Sequence, residues 1–116
     1  MGNFYECKII FVVKTEEARN IALEFEGAGE QPHFNRTAFT VKKKIFATLS
    51  FEDRTLNLKF TPVEQFIFCP PGSDVIYPVQ GGWGRMGWTT INLDKASKKL
   101  VRSALEAACK SRLSKK

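Results

Sequence analysis

Three consecutive lysines, Lys42, Lys43 and Lys44, stand between two runs in which apolar and polar residues alternate. Alternation with a period of two is typical of β-strands, so the lysines are expected at the tip of a β-hairpin. A second tip is expected at Asp53-Arg54. Cations at protruding tips can contact phosphate groups independently of base sequence. Lysines can equally keep a turn soluble and block edge pairing between strands, and the sequence leaves both interpretations open.

A glycine-rich segment, GGWGRMGW, places Trp83 and Trp88 on either side of Arg85. Aromatic side chains can stack with nucleic-acid bases, and glycine lets a backbone approach a ligand closely. Alternatively, the tryptophans fold back onto the sheet, which is favoured for Trp88 because it begins a strand. The phosphate-binding pattern GxxxxGK[ST] is absent, and no βαβ context supports a dinucleotide site. The candidate nucleic-acid contacts are the cations at or near the tips and in this loop, with one tryptophan: Lys42, Lys43, Lys44, Arg54, Arg36, Lys59, Trp83 and Arg85.

The residues that could support catalysis or metal binding are few and scattered. His33 is the one histidine of the chain, and no Ser/His/Asp or Cys/His set can be argued from spacing. Cys69 precedes two prolines without a nearby base, so a packed thiol is favoured over a nucleophile. Three distant cysteines favour neither a disulfide framework nor a zinc site. We therefore expect a protein with reduced thiols, no enzyme activity and no cofactor.

Composition favours one folded domain with an acidic partner. The chain has 116 residues, 43% of them hydrophobic, and a formal net charge of +6. Residues 1–34 carry three basic and six acidic side chains, whereas residues 35–116 carry 15 basic and six acidic ones. This asymmetry favours nucleic acid as a partner, although solubility alone would account for the total charge. The apolar run Ile9–Val13 is too short to span a bilayer and lacks a basic leader, so we expect a cytoplasmic protein without a membrane partner.

The elements that must position these residues can be placed in chain order. A helix is expected from Thr15, capped by that residue and ended by Gly27 or Gly29, and the segment EQPHFNR is expected to be a loop. Three strands follow, and the middle one is expected to place Ile45, Ala47, Leu49 and Phe51 on its apolar face.

The second half of the chain predicts two more helices and a further strand. A short helix should begin at Pro62, VIYPV should be extended, and WTTINL should form a fourth strand. Ser97 should cap a final helix. Lysines near the start of that helix suit either a solvated face or a bound phosphate: Lys95, Lys98 and Lys99. The sum is a two-layer α+β domain, an antiparallel sheet covered on one face by the N- and C-terminal helices.

The segment PHFNRTAFTVKKKIFATLSFEDRTLNLKF, together with the later GWTTINL, resembles the MmcQ/YjbR family of small bacterial proteins. The resemblance covers residues 15–112, with residues 1–14 as an N-terminal extension and residues 113–116 as a frayed basic tail. It implies a CyaY/frataxin-like fold and DNA binding through paired hairpin wings. It brings no enzyme activity.

Two departures from the family pattern concern the candidate contacts. Relatives often carry glycine where this chain has Lys42–Lys44, and many have a His-rich basic stretch where this chain has YPVQGGWGRMGW. Two other functions therefore stay open. One is a protein-interaction module that uses the sheet face or the glycine-rich loop. The other is a frataxin-like metal binder that uses Glu16, Glu17 and Glu24, although dipole matching at the start of the helix explains these carboxylates better.

Overall fold

A computed structural model describes residues 13–114 as one α+β unit. Four helices and six strands follow each other along the chain. Their bounds are α1 Thr15–Glu24, β1 Gly29–His33, β2 Arg36–Val41, β3 Lys44–Ser50, β4 Thr55–Lys59, α2 Pro62–Phe68, β5 Ile76–Pro78, α3 Gly82–Arg85, β6 Trp88–Asn92 and α4 Lys98–Ser114. None of these helices is long and apolar enough to cross a lipid bilayer.

The six strands form one antiparallel sheet in the order β1-β2-β3-β4-β6-β5. Helices α1 and α4 contact each other and the same central strand, β3. The sheet with two helices on one face confirms the predicted fold class. We call the side of the sheet away from α1 and α4 the open face.

Side chains alternate between the core and the open face along the central strands. Leu49 pairs with Leu56, which pairs with Ile91, and all three are fully buried under the helices. The neighbouring row, Thr48, Asn57 and Thr90, is polar and faces the other way. This apolar row is part of the hydrophobic core, whose burial drives folding because buried apolar area stabilises by about 25 cal/mol per Å². The polar row leaves the open face suited to hydrogen bonding.

A β-bulge in β3 changes the predicted pattern of buried residues. Phe39 pairs with Ala47 and Thr40 pairs with Ile45, so Phe46 is an extra residue without a partner across the strand. Phe46 is fully buried and packs edge-on against Phe25, whereas Phe51 is exposed in the following turn. The prediction that Ile45 and Phe51 share the core face was therefore wrong for two reasons. The inserted residue reverses the alternation before the bulge, which moves Ile45 off the core face, and β3 ends at Ser50, which leaves Phe51 in the turn.

The segment predicted to be a loop, EQPHFNR, contributes to an edge strand. Glu30–His33 form most of β1, which pairs antiparallel with β2. Its polar residues and Pro32 are compatible with this position because an edge strand has one side without a hydrogen-bonding neighbour. The polar composition that indicated a loop is that of an exposed strand.

The helix ends agree in part with the predictions. Ser97 caps α4, since its Oγ accepts a hydrogen bond from the Leu100 N–H at 3.1 Å. Thr15 does not cap α1, because the helix already includes it and the Lys14 N–H donates instead to Glu17 Oε1 at 3.0 Å. Helix α4 continues to Ser114, and the last two residues of the basic tail lie outside the described part.

Residues 1–12 also lie outside the described part, including Cys7 and most of the apolar run Ile9–Val13. Val13, the first residue described, is buried, and its N–H donates to Leu93 O at 3.0 Å.

The meander β2-β3-β4 decides where the candidate contacts lie. Because consecutive strands run in opposite directions, the β2–β3 and β3–β4 turns fall at opposite ends of the sheet. We call the end with Lys42, Lys43 and Lys44 the lysine end and the opposite end the Arg54 end. The seven residues of β3 separate them, a length of about 23 Å at roughly 3.3 Å per residue.

Candidate nucleic-acid interface

The β2–β3 turn is a two-residue hairpin loop built from lysine alone. Val41 pairs with Lys44, so Lys42 and Lys43 are the two central residues, with φ angles of 49° and 67°. Positive φ at both positions is the signature of a type I′ turn, which normally contains Asn-Gly or another glycine pair. The structure thus confirms the predicted tip and identifies Lys44 as the first residue of β3.

The left-handed backbone conformation of this turn is energetically unfavourable for lysine. A residue with a Cβ in the left-handed region is destabilised by roughly 1–2 kcal/mol relative to the right-handed one. The side chains do not recover that cost within the protein, because Lys42, Lys43 and Lys44 are exposed and form no ion pair with the described residues. Strain in a residue that gains no internal contact is a reason to look for an external one.

Other cations belong to the same end of the sheet. Lys59 ends β4 and donates from Nζ to Met86 O at 2.6 Å, and Arg112 near the end of α4 donates from Nε to Ile45 O at 2.9 Å. Arg85 is exposed in α3, which precedes β6 at this end. Glu26 and Glu64 supply negative charge there. The lysine end therefore carries an excess of positive charge.

The Arg54 end differs in that the cation of its tip, Arg54, and the nearby Lys95 are neutralised. Arg54 Nε and Nη2 donate to the two carboxylate oxygens of Asp94 at 2.7 and 2.8 Å. These hydrogen bonds, with the attraction between the charges, raise the pKa of Arg54 and lower that of Asp94. Lys95 is likewise paired with Asp74, so phosphate binding here would compete with internal carboxylates.

Arg36 begins β2 on the open face at the Arg54 end of the sheet, and it is half-buried. Its Nε donates to Thr48 Oγ1 at 2.8 Å, and its Nη2 donates to the carbonyl oxygens of Thr48 and Thr55, each at 3.1 Å. Burial lowers its pKa, and the charge of Asp53 opposes that shift. Arg36 forms no salt bridge with a described carboxylate. A guanidinium held by neutral groups keeps its charge available to a ligand.

A cleft of about 300 Å³ opens above Arg36. The β1–β2 turn, with His33 and Phe34, forms one wall, and Trp83 and Trp88 form the other. Thr48 and Asn57 lie between them. The two tryptophan rings meet edge to face with centroids 6.5 Å apart. Trp88 therefore lies on the open face, Trp83 remains 63% exposed, and neither joins the core beneath the helices.

The tryptophan wall is held by residues 79–88, which we call the tryptophan loop. It contains the one-turn helix α3 where the sequence indicated an irregular loop. A Cβ on Gly84 would lie 1.7 Å from Val79 O, and one on Gly87 would lie 1.9 Å from Phe60 O. These two glycines therefore permit close packing of the loop on its own chain. Their role differs from the predicted one, close approach to a ligand.

Gln65 ties helix α2 to the tryptophan loop, a role that sequence reasoning missed. Its Nε2 donates to Gly84 O at 3.0 Å, to Trp88 O at 3.2 Å and to Thr89 Oγ1 at 3.1 Å. One glutamine in a short helix gives no sequence signal for such a contact, because its partners lie 19 or more positions away.

The structure gives packing roles to the two reactive side chains considered from the sequence, His33 and Cys69. His33 contacts the Phe34 ring at a centroid distance of 4.9 Å and belongs to the cleft wall. Cys69 is half-buried, and burial raises the pKa of its thiol, which opposes formation of the nucleophilic thiolate.

The acidic residues of α1 are engaged by cations. Glu17 lies 3.5 Å from Lys98 Nζ, Glu24 accepts from Arg102 at 2.7 Å, and Glu16 lies 3.9 Å from Arg19. Hydrogen bonding lowers the pKa of Glu17 and of Glu24. Across residues 13–114, no group of three or more His, Cys, Asp or Glu side chains is placed to hold a metal ion. Pairing with cations accounts for these carboxylates.

Comparison with protein families matches residues 23–109 to the YjbR family. Among curated proteins, no sequence matches the chain.

Proposed function

The chain belongs to the YjbR family, and from this premise we propose that it binds nucleic acid weakly and largely independently of sequence, through phosphate contacts at the lysine end. Lys42, Lys43 and Lys44 would make the principal contacts, with Lys59 and Arg85 beside them. Arg54, which the sequence grouped with the lysines, would contribute little, because it lies at the opposite end and is paired with Asp94.

The observation that carries this proposal is the lysine pair held in a left-handed turn without an internal partner. Two strained, exposed cations form the β2–β3 turn, where Asn-Gly would be more stable. Solubility does not require charge at these particular positions, since exposed sites without backbone strain are plentiful in the chain. A phosphate ligand would use both the charge and the protrusion of the turn.

The mechanism we propose is binding without catalysis. Each lysine that neutralises a phosphate releases condensed counterions, so affinity should fall steeply as salt concentration rises. These contacts need only exposed positive charge, which Lys42, Lys43 and Lys44 supply.

The test is a fluorescence-anisotropy titration of labelled duplex and single-stranded oligonucleotides at several salt concentrations. If about three phosphates are contacted, the logarithm of the association constant should fall against the logarithm of salt concentration with a slope between about −2 and −3. Absence of binding to either form at low salt would refute the proposal.

A pair of triple variants separates position from net charge. K42S/K43S/K44S and K95S/K98S/K99S remove the same three charges, the first at the lysine end and the second near the start of α4. We expect the first to weaken binding strongly and the second to weaken it slightly, because Lys95 and Lys98 are engaged with Asp74 and Glu17. Equal losses would assign the affinity to net charge alone.

A protein partner is the second candidate, and helix α2 favours it. Val63, Phe66 and Ile67 are 67%, 85% and 71% exposed and lie on neighbouring positions of the helix surface. A contiguous exposed apolar stripe is typical of interaction surfaces. Association that persists in high salt and is lost in F66A would favour this candidate over nucleic acid.

A further inference from the structure

The cleft on the open face has the size and lining of a site for one planar ring. Its volume of about 300 Å³ is at the small end of the range for ligand sites in proteins. Aromatic side chains from two separate segments line it, Phe34 from the β1–β2 turn and the tryptophans from their loop. Aromatic side chains that line a cleft can hold a flat ligand by stacking.

Phe34 is unusual in both conformation and exposure. Its φ angle is 59°, in the left-handed region where bulky residues are outliers, and its side chain is 95% exposed. The ring contacts His33 and gains little burial from the fold. A strained aromatic that protrudes beside a cleft resembles the strained lysines of the β2–β3 turn, since its cost is not recovered inside the protein.

The floor of the cleft is rich in hydrogen-bond donors. Asn57 Oδ1 accepts from Thr90 Oγ1 at 2.8 Å, which leaves the Asn57 amide N–H groups as the remaining polar function of that side chain. Arg36 has a guanidinium with five N–H donors, and its bonds to Thr48 and Thr55 leave an Nη1 N–H available. Such a floor favours a ring that presents carbonyl oxygens.

The cleft reaches from the Arg54 end, where the β1–β2 turn lies, towards the lysine end, where the tryptophan loop lies. Lys59 donates to Met86 O within that loop, and Lys59 pairs with Trp88 across β4 and β6. A strand of nucleic acid whose phosphates lie on the lysine end could therefore place a base between Trp83 and Phe34.

From this geometry we propose that the cleft binds one unpaired, carbonyl-bearing base of a single-stranded nucleic acid, stacked against the aromatic walls and hydrogen-bonded by Arg36 and Asn57. This inference rests on the proposed phosphate binding at the lysine end. It adds that the protein distinguishes a strand with accessible bases from a duplex and from a bare sugar-phosphate backbone.

The first test uses the fluorescence of tryptophan, because both tryptophans of the chain line the cleft. Titration with a thymidine oligonucleotide should quench this fluorescence, whereas an abasic oligonucleotide of the same length should bind through phosphates with little quenching. Equal quenching by the two oligonucleotides would overturn the inference.

A matched pair of variants then tests the wall. F34A and F66A make the same substitution at side chains that are 95% and 85% exposed, the first at the cleft and the second on α2. We expect F34A to weaken binding of the labelled thymidine oligonucleotide by about tenfold and to leave the abasic one unchanged, because stacking acts on bases alone. F66A should change neither affinity.

The outcomes separate this inference from the proposed function. Equal affinity of wild type for thymidine and abasic oligonucleotides, with no effect of F34A, would overturn the base site and leave phosphate binding intact. Absence of binding to both oligonucleotides at low salt would overturn both.

Discussion

The two hairpin turns of the meander both contain cations in the left-handed region, but they differ in whether those cations form an ion pair. Each places a cation in the left-handed region, Lys42 and Lys43 at φ 49° and 67° and Arg54 at φ 55°. Arg54 is bound on two atoms by Asp94, whereas the lysines have no ion-pair partner among the described residues. The contacts of Arg54 with Asp94 therefore offset the strain of its backbone conformation. No ion pair among residues 13–114 offsets the strain of the lysines.

The difference teaches that a basic tip is not by itself a binding site. The Asp94 carboxylate already occupies the bidentate donors that a phosphate would use. A tip can serve an external anion where its charge has no internal carboxylate. The presence or absence of an internal carboxylate distinguishes the two turns, although both are basic tips in the sequence.

The largest effect should come from the backbone contact beneath the lysine end. In G87A, the new Cβ would lie 1.9 Å from Phe60 O, at a residue with φ 108°. We expect a loss of about 3 kcal/mol in the free energy of unfolding, from overpacking and left-handed strain together. Denaturant unfolding measures it. G29A is the control, since its Cβ would meet nothing closer than Thr40 Oγ1 at 3.6 Å; similar losses in both variants would contradict the packing argument.

The next effect concerns the strain in the lysine turn. K42N/K43G supplies the residues that a type I′ turn prefers, so the free energy of unfolding should rise by about 1–2 kcal/mol. The same variant should bind oligonucleotides less tightly, because two cations are lost. Chemical denaturation and anisotropy measure the two quantities. A variant that is less stable than wild type would show that the lysines stabilise their own turn.

Single substitutions compare the two ends directly. K43N and R54N each remove one positive charge from a left-handed position and install a residue that tolerates it. K43N should weaken oligonucleotide binding about fivefold to tenfold near 0.1 M salt, as expected for one lost phosphate contact. R54N should change it far less, and a loss as large as that of K43N would remove the distinction between the ends.

A smaller effect should follow from releasing the internal partner at the Arg54 end. D94N leaves Arg54 without its carboxylate, so this tip should gain some affinity for oligonucleotides. E16Q is the matched control, because it removes one negative charge from the exposed surface of α1, where Glu16 lies 3.9 Å from Arg19. Equal gains in D94N and E16Q would indicate that overall charge, and not the release of Arg54, is responsible.

The parts of the fold that depend on local pattern could be predicted from sequence. Alternation located the three central strands and the lysine tip, and the Ser97 cap and the start of α2 at Pro62 followed from capping preferences. The polar edge strand β1 was missed because its composition is that of a loop, and its pairing with β2 is a tertiary fact.

The candidate site could be predicted in its residues but not in its arrangement. The Arg54–Asp94 pair joins positions 40 apart, and the cleft joins Phe34 to a loop near Trp83, so no local pattern contains either. The bulge at Phe46 was equally hidden, since the residues on each side of it still alternate. The sequence identified the cations and the aromatic residues. Contacts between distant positions decide which of them belong to a tip without an ion pair, to a neutralised tip or to the cleft.

The salt dependence of binding by wild type, K42N/K43G and R54N tests the central claim most directly. If Lys42 and Lys43 each contact a phosphate, the slope of log affinity against log salt should become shallower by about 1.4 to 1.8 in K42N/K43G. R54N should keep the wild-type slope. An unchanged slope in K42N/K43G, or an equal change in R54N, would contradict the claim that the lysine end is the phosphate-binding surface.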